Sequence, residues 1–153
     1  MKRFHVHIAA DDLDATIRFY STVFGMPPTV RNPGYAKWMV EDPRINFAIS
    51  KATGMPGIDH LGIQVDSGEE LTLLREQVAR AQIAAQDQPG AACCYARSDK
   101  YWTTDPQGIA WETFHTFESI PVRGEAARLR SKSCCDGAPA AEAPSGESGS
   151  CCA

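Results

Sequence analysis

No apolar run of about 18 residues occurs in this chain, which excludes a helical membrane span. No basic tract occurs either. Lys and Arg number 15 against 19 Asp and Glu, for a formal net charge of −4. Nothing offsets the repulsion of a phosphate backbone, so nucleic acid is not an expected partner. The start, MKRFHVHIAADDLD, lacks the apolar stretch of a secretion signal, and a cytoplasmic location is expected. Large apolar residues become scarce after Phe117, in the Ala-, Gly-, Ser- and Pro-rich segment GEAARLRSKSCCDGAPAAEAPSGESGSCCA. Such a composition cannot bury enough surface to offset chain entropy, so residues 119–153 are expected to form a flexible tail. No cysteine stands alone. All six form adjacent pairs: Cys93-Cys94, Cys134-Cys135 and Cys151-Cys152. Neighbouring Cα atoms lie about 3.8 Å apart, whereas disulfides prefer about 4.4–6.8 Å. Structural disulfides are also rare in a reducing cytosol, so free thiols are expected.

What remains, residues 1–118, is patterned like a folded domain, with 43 % hydrophobic and 22 % charged residues over the whole chain. Phe4–Ala9 alternates as a strand does. Asp12 is placed to cap a helix whose apolar stripe is Leu13, Ile17, Tyr20, Val23 and Phe24, and Gly25 stops it. Tyr35–Val40 and Ile45–Ser50 read as strands joined by the turn EDPR. The pattern then restarts. Ile58–Val65 reads as a strand, Glu69–Ala84 as a helix, and Cys94–Ala96, Tyr101–Thr104 and Ile109–Thr116 as strands. Asp105-Pro106-Gln107-Gly108 is a turn, and Arg97, Asp99 and Lys100 are expected in another. His5 lies seven residues before Asp12, and His60 seven before Ser67 at the second helix start. The expected architecture is α+β: two modules, about 1–52 and 57–118, pairing their sheets around a shared cleft. One ordinary α+β domain with a fortuitous repeat is the alternative.

The repeat puts His5 and His60 at equivalent positions. Glu112, in GIAWETFHTF, alternates with Trp111 and Thr113, so it faces away from them. A carboxylate in such apolar company needs a partner if buried, and a metal would serve. Two imidazoles and one carboxylate make the facial triad of non-haem Fe(II), with positions left open for dioxygen and substrate. His7 shares the face of His5 and competes for its role. Each of these side chains also has an ordinary structural use, and His115 reads as a surface residue.

Several motifs carry a family resemblance. HVHIAADDLDATIRFYSTVFG, with Asp12-Leu13 and Phe19-Tyr20, resembles the opening module of the glyoxalase/bleomycin-resistance/extradiol-dioxygenase (vicinal oxygen chelate) superfamily. Asp105, Pro106 and Gly108, followed by Glu112, match its closing element. PGYAKWMVEDPRINFAI, DHLGIQV and CCYARSDKYWTTDPQG resemble the subgroup of cadmium-induced proteins and organoarsenical carbon–arsenic lyases. The resemblance implies two βαβββ modules, commonly a homodimer, and Fe(II) held by His5, His60 and Glu112 with O2 as co-substrate. It implies that Cys93 and Cys94 bind the arsenic of a trivalent organoarsenical. Glutamine stands at the first ligand position in some members, and this chain has His5. A fourth, carboxylate ligand would fall near Asn46, Phe47 and Ala48, which offer none, so four-ligand glyoxalase chemistry is disfavoured. Tyr95, Tyr101 and Trp102 are candidate pocket walls. Cys134, Cys135, Cys151 and Cys152 are candidates for capturing arsenic or cadmium. A non-catalytic cadmium or heavy-metal binder is the main competing reading, ahead of a glyoxalase-type lyase or a drug-binding resistance protein.

Overall fold

The computed structural model describes residues 1–121. The tail cysteines, Cys134, Cys135, Cys151 and Cys152, lie outside the described residues. The first module runs β1 (Arg3–Ala10), α1 (Leu13–Phe24), β2 (Val30–Asn32), β3 (Tyr35–Glu41) and β4 (Arg44–Lys51). The second runs β5 (Gly57–Val65), α2 (Gly68–Arg80), β6 (Gln86–Cys93), β7 (Ala96–Thr104) and β8 (Ala110–Ser119). Both helices begin as their sequences require. Asp12 accepts a hydrogen bond from the Ala15 amide, and Ser67 accepts one from the Glu70 amide. Gly25 closes α1 at φ 65, a conformation a Cβ disfavours. Helix α2 stops at Arg80 rather than near Ala84, because Gln82 turns left-handed at φ 58 and starts the chain toward β6.

The strands form one curled eight-stranded sheet in the order β2-β3-β4-β1-β5-β8-β7-β6. β1 runs parallel to β4, β5 runs parallel to β8, and the modules meet where β1 and β5 pair antiparallel. Alternation then sorts the side chains onto two faces. Val6, Ile8, Trp38, Phe47 and Ile49 go to the face covered by α1, where they pack with Ile17, Tyr20 and Phe24. Trp38 and Ile49 are fully buried there. Covering apolar groups of this size contributes about 1.5–3 kcal/mol each and makes this the main core. Helix α2 buries no residue fully, so the second module leans on its strands. The opposite, concave face is polar: His5, His7, Asn46, Ser50, His60, Ser98, Lys100 and Glu112 are all buried. Among the described residues no helix is long and apolar enough to cross a membrane.

Two expectations need correction. Cys94 and Tyr95 are not strand residues but the tip of the β6–β7 hairpin, closed by the Cys93–Ala96 pair. Arg97, Asp99 and Lys100 are not turn residues but part of β7. The run ARSDK sends Ser98 and Lys100 into a polar concave face, so it shows no apolar alternation to read. The short β2 was also not anticipated.

Gly62 is the most closely confined glycine among the described residues. A Cβ there would lie 2.0 Å from the Glu112 carbonyl oxygen, which is backbone and cannot yield. Gly62→Ala is therefore expected to push β5 from β8 and to lower stability by about 1–3 kcal/mol or more. A shift in the urea midpoint checks this, and an unchanged midpoint would show the contact to be soft.

Candidate metal and thiol site

Pairing across β1, β5 and β8 assembles the central cluster. His5 stands opposite Gly62, His7 opposite His60, and Gly62 beside Glu112. The missing side chain at Gly62 lets the imidazoles and the carboxylate converge. His5 Nε2 lies 3.2 Å from His60 Nε2. Glu112 Oε2 lies 3.7 Å from His5 Nε2 and 3.4 Å from His60 Nε2. The structure thus brings together all three residues expected from the sequence. A nearby third imidazole joins them: donor atoms of His5, His7 and His60 all lie within 4.8 Å of one another. Sequence reasoning saw His7 as a competitor of His5; the structure places the two side by side.

The surroundings orient these rings. His5 Nδ1 donates to the Asn46 carbonyl oxygen at 2.8 Å, and His60 Nδ1 donates to Asp59 Oδ1 at 2.7 Å. Both bonds turn Nε2 toward the cluster, as outer partners of metal-bound histidines do. Lys100, not singled out as a site residue from the sequence, binds the other carboxylate oxygen, Glu112 Oε1, at 2.7 Å. A divalent ion bound at about 2.0–2.2 Å spaces adjacent donors by about 3.0–3.5 Å, close to the separations here. The donor set therefore fits such an ion. Asn46 Oδ1, buried and without a hydrogen-bond partner among the described residues, adds a polar oxygen beside it.

Electrostatics separates the three groups. Desolvation pushes His5 down to about 4 from 6.5, against the pull of Glu112, so its ring is a neutral donor. Burial works against the charged form of His60, but hydrogen bonds to Asp59 and Glu112 raise it above its usual value. A cation must displace that proton to bind. Burial would raise Glu112, but the His60 hydrogen bond and the charge of Lys100 hold it well below the usual carboxylate range. For Lys100, burial is outweighed by Glu112, which raises it.

The thiols face the same cavity from its rim. Adjacent strand residues normally point to opposite faces. Cys93 and Cys94 escape this because Cys94 and Tyr95 occupy a two-residue turn at φ 53 and 66. Such turns favour Asn-Gly, and each residue with a Cβ costs about 1–2 kcal/mol there. The result is a pair of sulfurs 3.2 Å apart. Their mutual hydrogen bond, then burial, pushes the Cys94 thiol up, so it is protonated at neutral pH. Both cysteines line one cavity of about 60 Å³ with His5, His7, His60, Glu112 and Lys100. A water needs about 10–15 Å³ on this measure, so there is room for a small ligand. Trp102, an expected wall, lines the cavity and stacks edge-on against His60. Tyr101 does not: it is buried on the opposite face under Arg75. Tyr95 packs against Tyr35, which does line the cavity.

Two outcomes follow from these interactions. Lys100→Met strands Glu112 without its cation and is expected to cost about 3–5 kcal/mol in urea unfolding, as for other broken buried pairs. His5 is more basic unfolded than folded, so its contribution to the stability of the metal-free chain is complete above about pH 6.5. That contribution falls away toward pH 4. The difference in unfolding free energy between parent and His5→Gln should therefore narrow over this window, by on the order of 3 kcal/mol. A constant difference would show that His5 is not held neutral.

Residues 2–113 match the description "Glyoxalase/Bleomycin resistance protein/Dioxygenase superfamily". The chain is 38 % identical over 123 residues to the trivalent organoarsenical cleaving enzyme of Bacillus sp. strain MD1, covering 78 % of this chain and 76 % of that one. It is 33 % identical over 144 residues to the cadmium-induced protein CadI of Mycobacterium bovis, covering 90 % and 95 %. Among solved structures, the Mn(II)-bound glyoxalase from Novosphingobium aromaticivorans superposes with a TM-score of 0.57 at 19 % identity, covering 84 % of this chain and 44 % of that one, a likeness of fold. With its paired modules and its histidine-rich cleft, the chain belongs to the glyoxalase/bleomycin resistance protein/dioxygenase superfamily, in the company of organoarsenical-cleaving and cadmium-induced proteins.

Proposed function

We propose that the protein cleaves the carbon–arsenic bond of trivalent organoarsenicals, using Fe(II) and dioxygen, and releases arsenite. The observation that carries this reading is the placement of two touching thiols and a two-histidine, one-carboxylate donor set on one small cavity. The similarity to the Bacillus enzyme supports it. His5, His60 and Glu112 would hold the iron. When bound, iron supplies the activation of dioxygen that organic side chains cannot.

The chain's own residues bind and aim the substrate. Arsenic(III) is soft and thiophilic, as the ions selected by thiols are. Cys93 and Cys94 condense with a dihydroxy arsenical, forming two As–S bonds and releasing two waters. The Cys94 proton leaves with the released water, which suits a Cys94 held protonated. The third arsenic substituent, the organic group, stays attached and is left to face the histidines. Lys100 keeps Glu112 ionised and fixes its orientation through Oε1. For methylarsenite the overall change balances as CH3As(OH)2 + O2 → CH2O + As(OH)3. A reducing compartment such as the cytosol would keep both thiols available. Residues 1–118 form the working unit in this reading. Exposed Phe19 and Val23 on α1 are available apolar surface for the homodimer that the family implies.

The similarity to a cadmium-induced protein favours a second reading, stoichiometric capture of a soft metal without turnover. One assay separates them. The Fe(II)-reconstituted protein is mixed anaerobically with methylarsenite, oxygen is added, and arsenic species are measured. Multiple turnovers to arsenite and formaldehyde are expected. Capture without release would favour the binder. Cys93→Ser should retain iron yet lose arsenical retention by on the order of a hundredfold, because one thiol no longer chelates. Parental turnover in that variant would overturn the thiol clamp.

A further inference from the structure

The family resemblance accounts for two histidines in the cluster, yet three face it. His7 is 2 % exposed, more deeply buried than His5 or His60. Its ring centroid lies 4.8 Å from that of His60 and 6.2 Å from that of His5. Nε2 meets Ser50 Oγ at 3.0 Å. Its donor atom falls within 4.8 Å of those of both other histidines. A buried imidazole in a hydrophobic layer needs no such company, and this one stands on the polar face beside the donor set.

We propose that His7 gives the site a second, overlapping donor set, His5/His7/His60, which holds a zinc-class divalent cation. Three observations support it. First, imidazole nitrogens suit zinc and its neighbours, and three of them with an open position form a known zinc arrangement. Second, Glu112 is already engaged by Lys100 at 2.7 Å. A cation held by three neutral imidazoles leaves that ion pair in place, whereas one bound through the carboxylate shares it with a buried ammonium. Third, Glu112 Oε2 remains 3.4–3.7 Å from His60 and His5, so its charge still compensates a cation there. Donors bound at about 2.0–2.1 Å from one ion stand about 3.3–3.5 Å apart, so this set, now all within 4.8 Å, contracts when it binds.

Zinc has no redox chemistry, so a chain loaded this way would not activate dioxygen. The identity of the loaded ion, rather than the fold, would then decide whether the cavity turns over. That consequence for turnover rests on the arsenical reading; the assignment of the donor set rests on geometry alone.

Co(II) is a spectroscopically visible zinc-class probe. The full chain is loaded with one equivalent, and exchangeable imidazole N–H protons with hyperfine shifts are counted by NMR. Thiol-bound Co(II) contributes no such protons. Three are expected in the parent and two in His7→Gln. Two in the parent would overturn the proposal without recourse to any variant. In parallel, Glu112→Gln, which keeps an oxygen for Lys100, should retain Co(II) within about tenfold, while His60→Gln should lose at least about a hundredfold, more than a supporting residue costs. Equal losses in these two variants would also overturn it. Absence of arsenical turnover would leave every one of these readouts unchanged.

Discussion

Glu112 holds a carboxylate on the concave face of β8, 7 % exposed, where an uncompensated charge would be untenable. Much of the cavity's architecture answers that constraint. Lys100 reaches it from β7, and His5 and His60 reach it from β1 and β5. Each partner comes from a different strand, so the ion cluster ties both modules together at their seam. Gly62 makes the arrangement possible by leaving the neighbouring position bare. The desolvation of Glu112 is thereby converted into a concentrated, oriented electrostatic site, at a stability cost that packing on the other face of the sheet offsets.

The hairpin tip shows a second, independent constraint. Cys94 and Tyr95 occupy left-handed conformations that glycine or asparagine would accept more readily. A tight turn of this kind sends two adjacent side chains to the same side, here toward the cavity. Strain of this sort persists where the surrounding structure over-determines it, here through the Cys93–Ala96 pairing and the packing of Tyr95 on Tyr35. The thiols and the histidines are thus positioned by unrelated devices, a strained loop and a strand register, that meet at one cavity.

Much of the fold could be read without coordinates. The caps at Asp12 and Ser67 and the stop at Gly25 are local chemistry, decided within a few residues. The two-module repeat followed from them, because equal spacing from each cap to His5 and His60 is a one-dimensional fact. The β7 strand could not be read the same way. Ser98 and Lys100 face a polar cavity, so the usual apolar alternation is absent and the segment resembles a turn. The choice between Tyr101 and Trp102 stays open in the sequence for a related reason. Alternation says that Tyr101 and Trp102 face opposite ways, but not which of the two faces the cavity.

The sequence by itself determined the helix boundaries at their capped ends, the α+β class, the choice of His5, His60 and Glu112 as candidate donors, and the adjacency of Cys93 and Cys94. These depend on neighbours within a turn or a strand, or on a motif that travels intact. Tertiary structure alone decided that Lys100 would pair with Glu112, that His7 would join rather than replace His5, and that two neighbouring thiols would face one way. Those outcomes depend on the register between strands far apart in the chain and on a left-handed turn. Neither is encoded in the periodicity of any single segment.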